Sequence, residues 1–564
     1  MKREYVILAV ILAIAFVLRI YGVLTDVFPF FREATYGMAA WRIIDGDMPY
    51  RDFYHSQPPL SPFLLAFVFL IFGVGVVQAR LFLVFFTTFT SFVIFLAGKR
   101  IDYKTGLLGS FVFAITPWCI VYGMRAVNDH IAMTFCIIGY YFLSPVFAIQ
   151  NKDKKMDTTA ERNSLILAGL FVSIGVMIKT IVAPILLAFI VILFVEARYT
   201  GAGISSQVKN IVFLFLGFIV PLLIVYSPFY LLIGDEFTIQ VLGQHFEKPP
   251  TTWIGRLEEV TSLLVLDNFY FFVFFILSVF FAIRRPYGRG LVICILVMVF
   301  SIFFFVPRAH PNYYHALLLL MAMVCGFFPF PDFKSLNLKI EILILNFIII
   351  LNLISYKIYR YSNLDISKAS YFNHFSATIA LFVTAIALIV LIIFIIKERR
   401  FYEFRIKTHI KNLFSSPYQI WKRLRILFIK DEVRIVIAIL FIALIATTYV
   451  SYFPISESDK KSMDWIKANT SPDEYVLADS LKINFWTLRR SPFAEISKDR
   501  TFIGELTGEM FIEACYEYDI RFVVDTGRLF GELETYDVFL EFLAENYVPI
   551  LEGHTIYVRT TSLK

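Results

Sequence analysis

Long uncharged apolar runs are the feature of this sequence that most limits its fold. Of the 564 residues, 58% are hydrophobic, and they gather in segments of about 20 that contain few charged side chains. Such a segment spans the hydrocarbon core of a bilayer, where only helices or closed barrels satisfy the backbone hydrogen bonds. The sequence therefore predicts a polytopic helical membrane protein. Its net charge of +7 gives no support for nucleic-acid binding, because in membrane proteins the position of Lys and Arg matters more than their sum.

The number of spans depends on one ambiguous apolar segment, residues 60–77. If this segment does not cross the membrane, Lys and Arg fall mainly on the cytoplasmic side, above all in the basic loop 397–432. We therefore predict a juxtamembrane helix at 60–77 in the outer interface. The resulting all-α membrane domain has about 13 transmembrane helices, with the N-terminus inside and the C-terminus outside. The predicted spans are 5–24, 81–98, 105–122, 129–147, 164–178, 181–196, 210–233, 265–283, 289–306, 314–330, 338–356, 375–396 and 433–452.

The composition changes after residue 453, where the membrane domain 1–453 gives way to a segment rich in charges. In 454–564, helix and strand patterns alternate, which predicts a small soluble α/β domain outside the cytoplasm. This segment contains no Gly-x-Gly-x-x-Gly and no Walker loop, so nucleotide binding is unsupported. The predicted helices are 459–469, 509–518 and 536–546, and the predicted strands are 475–479, 520–525, 547–551 and 555–559.

The first outer loop, residues 25–80, is unusually polar for a connection between spans. It combines acids, bases and a histidine with aromatic rings, and it reaches a Pro-Pro pair just before the juxtamembrane helix. This combination predicts a site for a charged substrate that carries a ring. Its candidate site residues are Arg32, Glu33, Tyr36, Asp52 and His55.

Three further polar clusters fall on the same outer face in this topology. An isolated lysine interrupts the apolar run 174–188, and an ionisable residue inside a membrane segment is functional by default. Two carboxylates and several cations together suit an anionic substrate carried on a lipid. The candidate residues of these clusters are Arg125, Asp129, Lys179, Arg308, His310, Tyr313 and Tyr314.

Each of these residues also has a simpler interpretation. Asp129 opens a helix, where an acid can serve only as a partner of the helix dipole. Arg125 can extend its charged end to the membrane interface. A helix break at Lys179 would bring the lysine to the surface, and Tyr313 and Tyr314 suit an interfacial aromatic belt.

The convergence of these groups favours one class of reaction. A sugar on a polyprenyl phosphate has an apolar tail, a phosphate at headgroup level and a sugar in water. Its transfer to a hydroxyl needs a carboxylate that takes the proton, for which Glu33 and Asp129 are the candidates. It also needs fixed positive charge at the leaving phosphate. The candidates for this role are Lys179, Arg308 and His310.

The order of these motifs resembles the GT-C superfamily of glycosyltransferases that use lipid-phosphate sugars. The branch that it resembles contains the protein O-mannosyltransferases and aminoarabinose transferases. The resemblance covers most of 1–330. The motifs that carry it are Arg32-Glu33-Ala34-Thr35-Tyr36, Gly46-Asp47, Pro58-Pro59-Leu60, Gly73, Ala79-Arg80-Leu81, Pro117 with Arg125 and Asp129, Lys179, and Tyr313-Tyr314.

The first of these motifs departs from the family pattern. The family has an Asp-Glu pair where this chain has Arg32 and Glu33, so the base is Glu33 as first candidate, or Asp129 or Asp52. The resemblance implies an inverting single displacement, and an outer domain after the last span is compatible with it. It implies no required cofactor; a divalent metal is compatible with the sequence, but nothing indicates one.

The function predicted from the sequence is thus an integral membrane glycosyltransferase. Its expected partners are a polyprenyl- or dolichyl-phosphate sugar donor, a protein, glycan or lipid acceptor, and membrane lipids. The donor sugar is mannose or another hexose or pentose. The main alternative is a transporter or flippase of lipid-linked glycans, which predicts internal repeats that we do not find in the sequence. A non-catalytic assembly or sensor protein would leave the polar first loop unexplained.

Overall fold

The chain divides into two units, and the larger contains nearly all of the residues that the structure describes. The computed structural model describes residues 3–25, 31–125, 127–148, 158–200, 203–243, 252–260, 269–306, 311–329, 457–496, 506–526, 530–533, 535–550 and 555–560. The larger unit comprises Met1–Val260, Ser278–Phe328 and Val450–Lys564, and the smaller comprises Thr261–Leu277 and Pro329–Tyr449. The predicted spans 338–356, 375–396 and 433–452 and the basic loop 397–432 lie outside the described residues.

Fifteen α-helices precede the C-terminal region in the described residues. They are α1 (Arg3–Thr25), α2 (Phe31–Ile44), α3 (Leu60–Phe72), α4 (Val76–Lys99), α5 (Tyr103–Ile115), α6 (Pro117–Met124), α7 (Asp129–Ala148), α8 (Thr158–Ile178), α9 (Pro184–Thr200), α10 (Ile204–Ile233), α11 (Asp235–Thr238), α12 (Trp253–Val260), α13 (Phe269–Ala282), α14 (Pro286–Phe305) and α15 (His315–Cys325). Short 3₁₀ turns lie at Thr180–Val182 and Pro311–Tyr314, and a π turn lies at Ile239–Gly243. In the larger unit α7 packs on α8, α8 on α10, and α4 on α5.

Seven helical segments of the described chain are long and apolar enough to cross a membrane. They are α1, α4, α7, α8, α9 together with the 3₁₀ turn before it (Thr180–Tyr199), α10 and α14. The pair α5 and α6 adds an eighth if it forms one span with a bend of 71°. The predicted spans 265–283 and 314–330 coincide with the shorter apolar helices α13 and α15. A mainly helical protein with several candidate membrane spans is therefore confirmed, whereas the total of about 13 spans and their orientation stay predictions.

A buried arginine stabilises the bend between α5 and α6. Pro117 begins α6, and the last carbonyls of α5 therefore lack helical partners. Arg19 in α1 is fully buried and donates to the carbonyls of Phe113 and Ala114, each at 3.4 Å, and of Cys119 at 3.1 Å. The guanidinium thus donates to the Phe113 carbonyl, whose helical donor would be the N–H that Pro117 lacks.

Helix α3 is short for a membrane span. Its 13 residues extend about 20 Å, against a hydrocarbon thickness of about 30 Å. The residue after the helix is Gly73, whose φ of 82° belongs to the region that favours glycine. This length suits the predicted juxtamembrane helix, although α3 ends at Phe72 and α4 already begins at Val76. The position of α3 at the outer interface stays a prediction.

The C-terminal region forms a small α/β domain around a four-stranded mixed sheet. Strand β1 pairs parallel with β2, β2 pairs antiparallel with β4, and β4 pairs antiparallel with β3. Each strand is close to its predicted position, whereas α17 was not predicted. The elements are α16 (Glu457–Asn469), β1 (Val476–Ala478), α17 (Leu481–Thr487), α18 (Gly508–Glu517), β2 (Phe522–Asp525), α19 (Tyr536–Asn546), β3 (Tyr547–Pro549) and β4 (Thr555–Arg559).

This domain packs on the polar segment that follows α1. The sequence analysis predicts a loop for that segment, but its first part is the helix α2. Helix α17 packs against α2. A Cβ atom on Gly37 would come within 2.3 Å of the Phe485 ring, so the contact requires glycine there. Arg42 donates to the carbonyl of Pro492 at 2.9 Å. The C-terminal domain and the polar segment therefore lie at the same end of the helical bundle.

Candidate active site

Lys179 occupies the break between two membrane helices. Helix α8 ends at Ile178, and Lys179 has an extended backbone before the 3₁₀ turn at Thr180–Val182. The break agrees with the simpler interpretation from the sequence, but the side chain is only 4% exposed. Its ammonium donates to the hydroxyl of Tyr36 at 2.8 Å and to Oε1 of Gln57 at 2.7 Å. Lys179 is therefore a buried cation at the polar end of the bundle and not a surface group.

Gln57 connects this lysine to the C-terminal domain through a chain of hydrogen bonds. Its Nε2 donates to Oγ of Ser56 at 3.1 Å. The hydroxyl and the backbone N–H of Ser56 in turn donate to the carboxylate of Glu495, at 2.6 and 3.0 Å. Ser56 is 3% exposed and Glu495 is 8% exposed. Four side chains from two parts of the fold thus form one connected network, in which Lys179, Ser56 and Glu495 are buried and Gln57 is partly buried.

Glu33 forms a buried ion pair with Arg80 of α4. The guanidinium donates through Nε to Oε1 at 2.9 Å and through Nη2 to Oε2 at 2.8 Å. Both side chains are at most 1% exposed. Because both carboxylate oxygens accept charge-assisted bonds, protonation of Glu33 would cost part of this pairing. The geometry thus assigns Glu33 an evident structural role, and its catalytic role stays a prediction.

Asp129 has a different environment. It opens α7 and is 2% exposed, and its Oδ1 accepts no hydrogen bond from any residue that the structure describes. Buried polar atoms are rarely left without a donor, so this oxygen calls for an explanation. The Asp129 carboxylate lies near enough to Arg32 and Tyr36 to influence the pKa of both side chains. Its neighbourhood is therefore the same as that of Lys179, which binds the Tyr36 hydroxyl.

Arg32 contributes positive charge to this neighbourhood. Its guanidinium carbon lies 5.8 Å from the centre of the Tyr313 ring. Burial lowers the pKa of Arg32, but Tyr36, Tyr313 and Asp129 together raise it above its usual value. Arg32 is therefore a permanent cation beside Asp129.

His55 is fully buried beside the network of Lys179 and Glu495. Its backbone N–H donates to Oε1 of Gln240 at 2.9 Å, and Nε2 of Gln240 donates to the carbonyl of Tyr50 at 3.1 Å. Burial lowers the pKa of His55 to about 4; the charge of Glu495 opposes this shift and that of Lys179 adds to it. His55 is therefore neutral near pH 7 and supplies no positive charge for a phosphate.

The lowered pKa of His55 predicts acid sensitivity of the fold. Between pH 6.5 and pH 4 the unfolded chain binds a proton at His55 and the folded protein does not, so stability falls as the pH falls. From pH 7 to pH 5 this loss amounts to about 2 kcal/mol. We expect His55→Gln to lose less unfolding free energy over this interval, measured by denaturant titration in detergent. An equal loss in both proteins would contradict this assignment.

The remaining predicted site residues differ in their burial. Asp52 is exposed, and its hydrogen bonds with Arg51 are the main cause that lowers its pKa to about 2. Arg125, at the end of α6, is 2% exposed, and Tyr314 is fully buried. Arg308 and His310 lie outside the described residues.

Several residues of the site were not predicted from the sequence. Arg80 had a detectable signal, since it is a charge near the start of a membrane helix. Gln57 and Ser56 precede the Pro-Pro pair without a distinctive pattern, and nothing in the sequence connects Glu495 with them. Within the described ranges, no three side chains of His, Cys, Asp or Glu converge as metal ligands do.

A family model matches part of the sequence. Residues 56–229 match the family described as dolichyl-phosphate-mannose-protein mannosyltransferase. The match covers less than half of the chain, but it includes Gln57, Asp129 and Lys179. No curated protein matches the sequence.

Solved structures match the fold over nearly its whole length. ArnT from Cupriavidus metallidurans in the apo state aligns with 98% of this chain and 97% of its own, at a TM-score of 0.62 and 13% identity. The same protein bound to undecaprenyl phosphate covers 99% and 98%, at a TM-score of 0.58 and 12% identity. The Archaeoglobus fulgidus oligosaccharyltransferase, tethered to an acceptor peptide, covers 99% and 74% with a TM-score of 0.47 and 13% identity.

The structural likeness to ArnT shows the fold of this chain, and the family match adds a resemblance to the mannosyltransferase family over residues 56–229. The chain thus resembles the protein O-mannosyltransferases and ArnT, as the order of its motifs predicts. At 12–13% identity the structural likeness establishes the fold. The chemistry must therefore be argued from the residues of this chain.

Proposed function

We propose that the protein transfers a sugar from a polyprenyl phosphate to an acceptor hydroxyl at the outer face of the membrane. The observation that carries this proposal is the meeting of a buried ammonium and a buried carboxylate around one tyrosine. Lys179 binds the hydroxyl of Tyr36, and Asp129 influences the same group electrostatically. A transfer reaction that releases a phosphate requires both charges within one small volume.

Asp129 is the better candidate for the base. An acceptor hydroxyl can donate to Oδ1 of Asp129 without displacing any described protein donor. In contrast, both oxygens of Glu33 are occupied by Arg80.

The proposed reaction is one displacement. The acceptor oxygen attacks the anomeric carbon, its proton passes to Oδ1 of Asp129, and the bond between the anomeric carbon and the phosphate oxygen breaks. The electron pair of that bond leaves with the polyprenyl phosphate. Lys179 neutralises the negative charge that develops there, and Arg32 adds further positive potential. Attack from the opposite side inverts the anomeric configuration.

The site and the similar proteins support one class of donor. Lys179 lies at the end of membrane helices α8 and α9, where a phosphate at headgroup level would be found while its tail stays among the apolar spans. A solved structure of ArnT is bound to undecaprenyl phosphate, and the matching family model names dolichyl-phosphate mannose. We therefore propose a polyprenyl- or dolichyl-phosphate sugar, with mannose as the first donor to test. The acceptor is a hydroxyl of a protein, glycan or lipid.

Packing and charge bias together support an outer location for the site. The C-terminal domain contacts the same end of the bundle as the site, through Arg42 and Pro492 for example. The basic segments of the sequence favour the opposite end as cytoplasmic. The domain and the site are therefore proposed to face the outside.

Replacement of Lys179 tests the proposal. We expect Lys179→Met to reduce transfer of a radiolabelled sugar from polyprenyl phosphate by about 100-fold or more in isolated membranes, because a fixed charge at the leaving group is lost. Lys179→Arg should retain part of the activity. Lys99→Met is the matched control, since Lys99 is exposed and its ammonium binds the Tyr5 hydroxyl at 3.0 Å, away from the site.

The same experiment separates the proposal from the flippase alternative. A flippase would move the labelled lipid between leaflets of reconstituted vesicles without forming a labelled acceptor. Labelled product that depends on Lys179 supports the transferase. Lipid movement without any product would overturn the proposed function.

A further inference from the structure

A residue of the C-terminal domain is connected to the proposed phosphate-binding lysine by consecutive hydrogen bonds. Glu495 accepts from both the N–H and the hydroxyl of Ser56, Ser56 accepts from Gln57, and Gln57 accepts from Lys179. Glu495 and Ser56 are 439 positions apart in the sequence. The connection therefore crosses the contact between the soluble domain and the membrane domain.

The direction of these bonds is set by the carboxylate. An ionised carboxylate only accepts hydrogen bonds, so the hydroxyl proton of Ser56 points toward Glu495, at 2.6 Å. The lone pairs of that hydroxyl then accept from the Nε2 group of Gln57, at 3.1 Å. This contact fixes the orientation of the amide, and its Oε1 faces the ammonium of Lys179 at 2.7 Å. A charge in the soluble domain thereby determines which end of the amide meets the lysine.

The orientation matters because an ammonium on a flexible four-carbon chain has no preferred position of its own. Two acceptors, the hydroxyl of Tyr36 and Oε1 of Gln57, hold it in place. If the amide turned round, an N–H would face the ammonium, and the two donors would repel each other. The lysine would then leave its position, and misplacement by about 1 Å can cost about 100-fold in rate.

We propose that Glu495 is a positioning residue, which holds Lys179 in place for the donor phosphate through Ser56 and Gln57. This inference rests on the proposed function, because it presumes that Lys179 binds the phosphate. It assigns to the C-terminal domain a part in donor binding. The domain therefore completes the site in the membrane bundle.

The first test is the variant Glu495→Gln, which keeps the shape of the side chain but can donate to Ser56 and so reverse the amide of Gln57. We expect the KM for a polyprenyl-phosphate sugar to rise about tenfold, while the KM for the acceptor changes little. The matched control is Arg490→Gln, because Arg490 forms an ion pair with Asp45 at 3.3 Å across the same contact without joining the network. It should stay within about twofold of the wild type.

A double-mutant cycle tests the path through Gln57. If Glu495 acts through the amide, Gln57→Ala with Glu495→Gln should bind the donor no more weakly than Gln57→Ala alone. Additive effects, or equal losses in Glu495→Gln and Arg490→Gln, would overturn the inference and leave only a role in domain docking. Lys179→Met separates the two proposals. If Lys179→Met loses donor affinity and Glu495→Gln does not, only this inference fails; if Lys179→Met binds the donor normally, the proposed phosphate role fails with it.

Discussion

Replacing Asp129 with asparagine is expected to slow sugar transfer by about 10²- to 10⁴-fold, the usual contribution of a general base. The asparagine keeps the size of the side chain, so the loss should appear in kcat more than in the KM for the donor. The measurement is transfer of radiolabelled sugar from polyprenyl phosphate in membranes that contain equal amounts of each protein. The physical reason is that Oδ1 of Asp129 accepts no hydrogen bond in the described structure, so a substrate hydroxyl that donates to it displaces no described protein donor.

The simpler interpretation of Asp129, as a partner of the α7 dipole, predicts a different result. The variant would lose about 0.3–1 kcal/mol of stability and keep its activity. Asp235→Asn is a suitable control, because Asp235 also opens a helix but is exposed. Transfer by Asp129→Asn at the wild-type rate would exclude Asp129 as the base.

The largest expected effect on stability comes from breaking the ion pair of Glu33 and Arg80. We expect Arg80→Met to lower the free energy of unfolding by about 3–5 kcal/mol, because it leaves a buried carboxylate without its counter-ion. Both side chains are at most 1% exposed, so water cannot replace the lost guanidinium. The measurement is the unfolding midpoint in mixed micelles as the fraction of denaturing detergent increases.

The double variant Glu33→Met with Arg80→Met separates structure from catalysis at this pair. Removing both charges should restore most of the lost stability, because apolar side chains of similar volume often replace a buried ion pair without penalty. If Asp129 is the base, this folded double variant keeps measurable transfer. A double variant that folds and binds donor but transfers nothing would return Glu33 to the position of first candidate.

The membrane helices could be predicted well from the sequence because their signal is local. A run of about 20 apolar residues predicts a membrane span without any information on the segments that pack against it. The helices α1, α4 and α10 accordingly fall where the apolar runs predict them. Helix α2 was not predicted because its charged residues are typical of a loop between spans. In the fold, Glu33 faces α4 and Arg42 faces the C-terminal domain.

The site was predictable only as a set of residue types. Lys179 was a candidate because a lone cation in an apolar run is costly by several kcal/mol, and such a residue is by default a candidate for function. The sequence could not show that it is held by Tyr36 and Gln57, nor that Glu495 is connected to it. These partners are hundreds of positions away in some cases, and no periodicity relates them.

The sequence by itself therefore determined that this is a helical membrane protein with polar clusters, and it named most of the charged side chains of the site. Only the tertiary structure decided which charges pair. It pairs Glu33 with Arg80 and leaves Oδ1 of Asp129 without a donor among the described residues. The reason is physical. The apolar pattern that predicts a membrane helix lies within about 20 consecutive residues. The pairing of a carboxylate instead depends on distances of about 3 Å between helices that are remote in sequence.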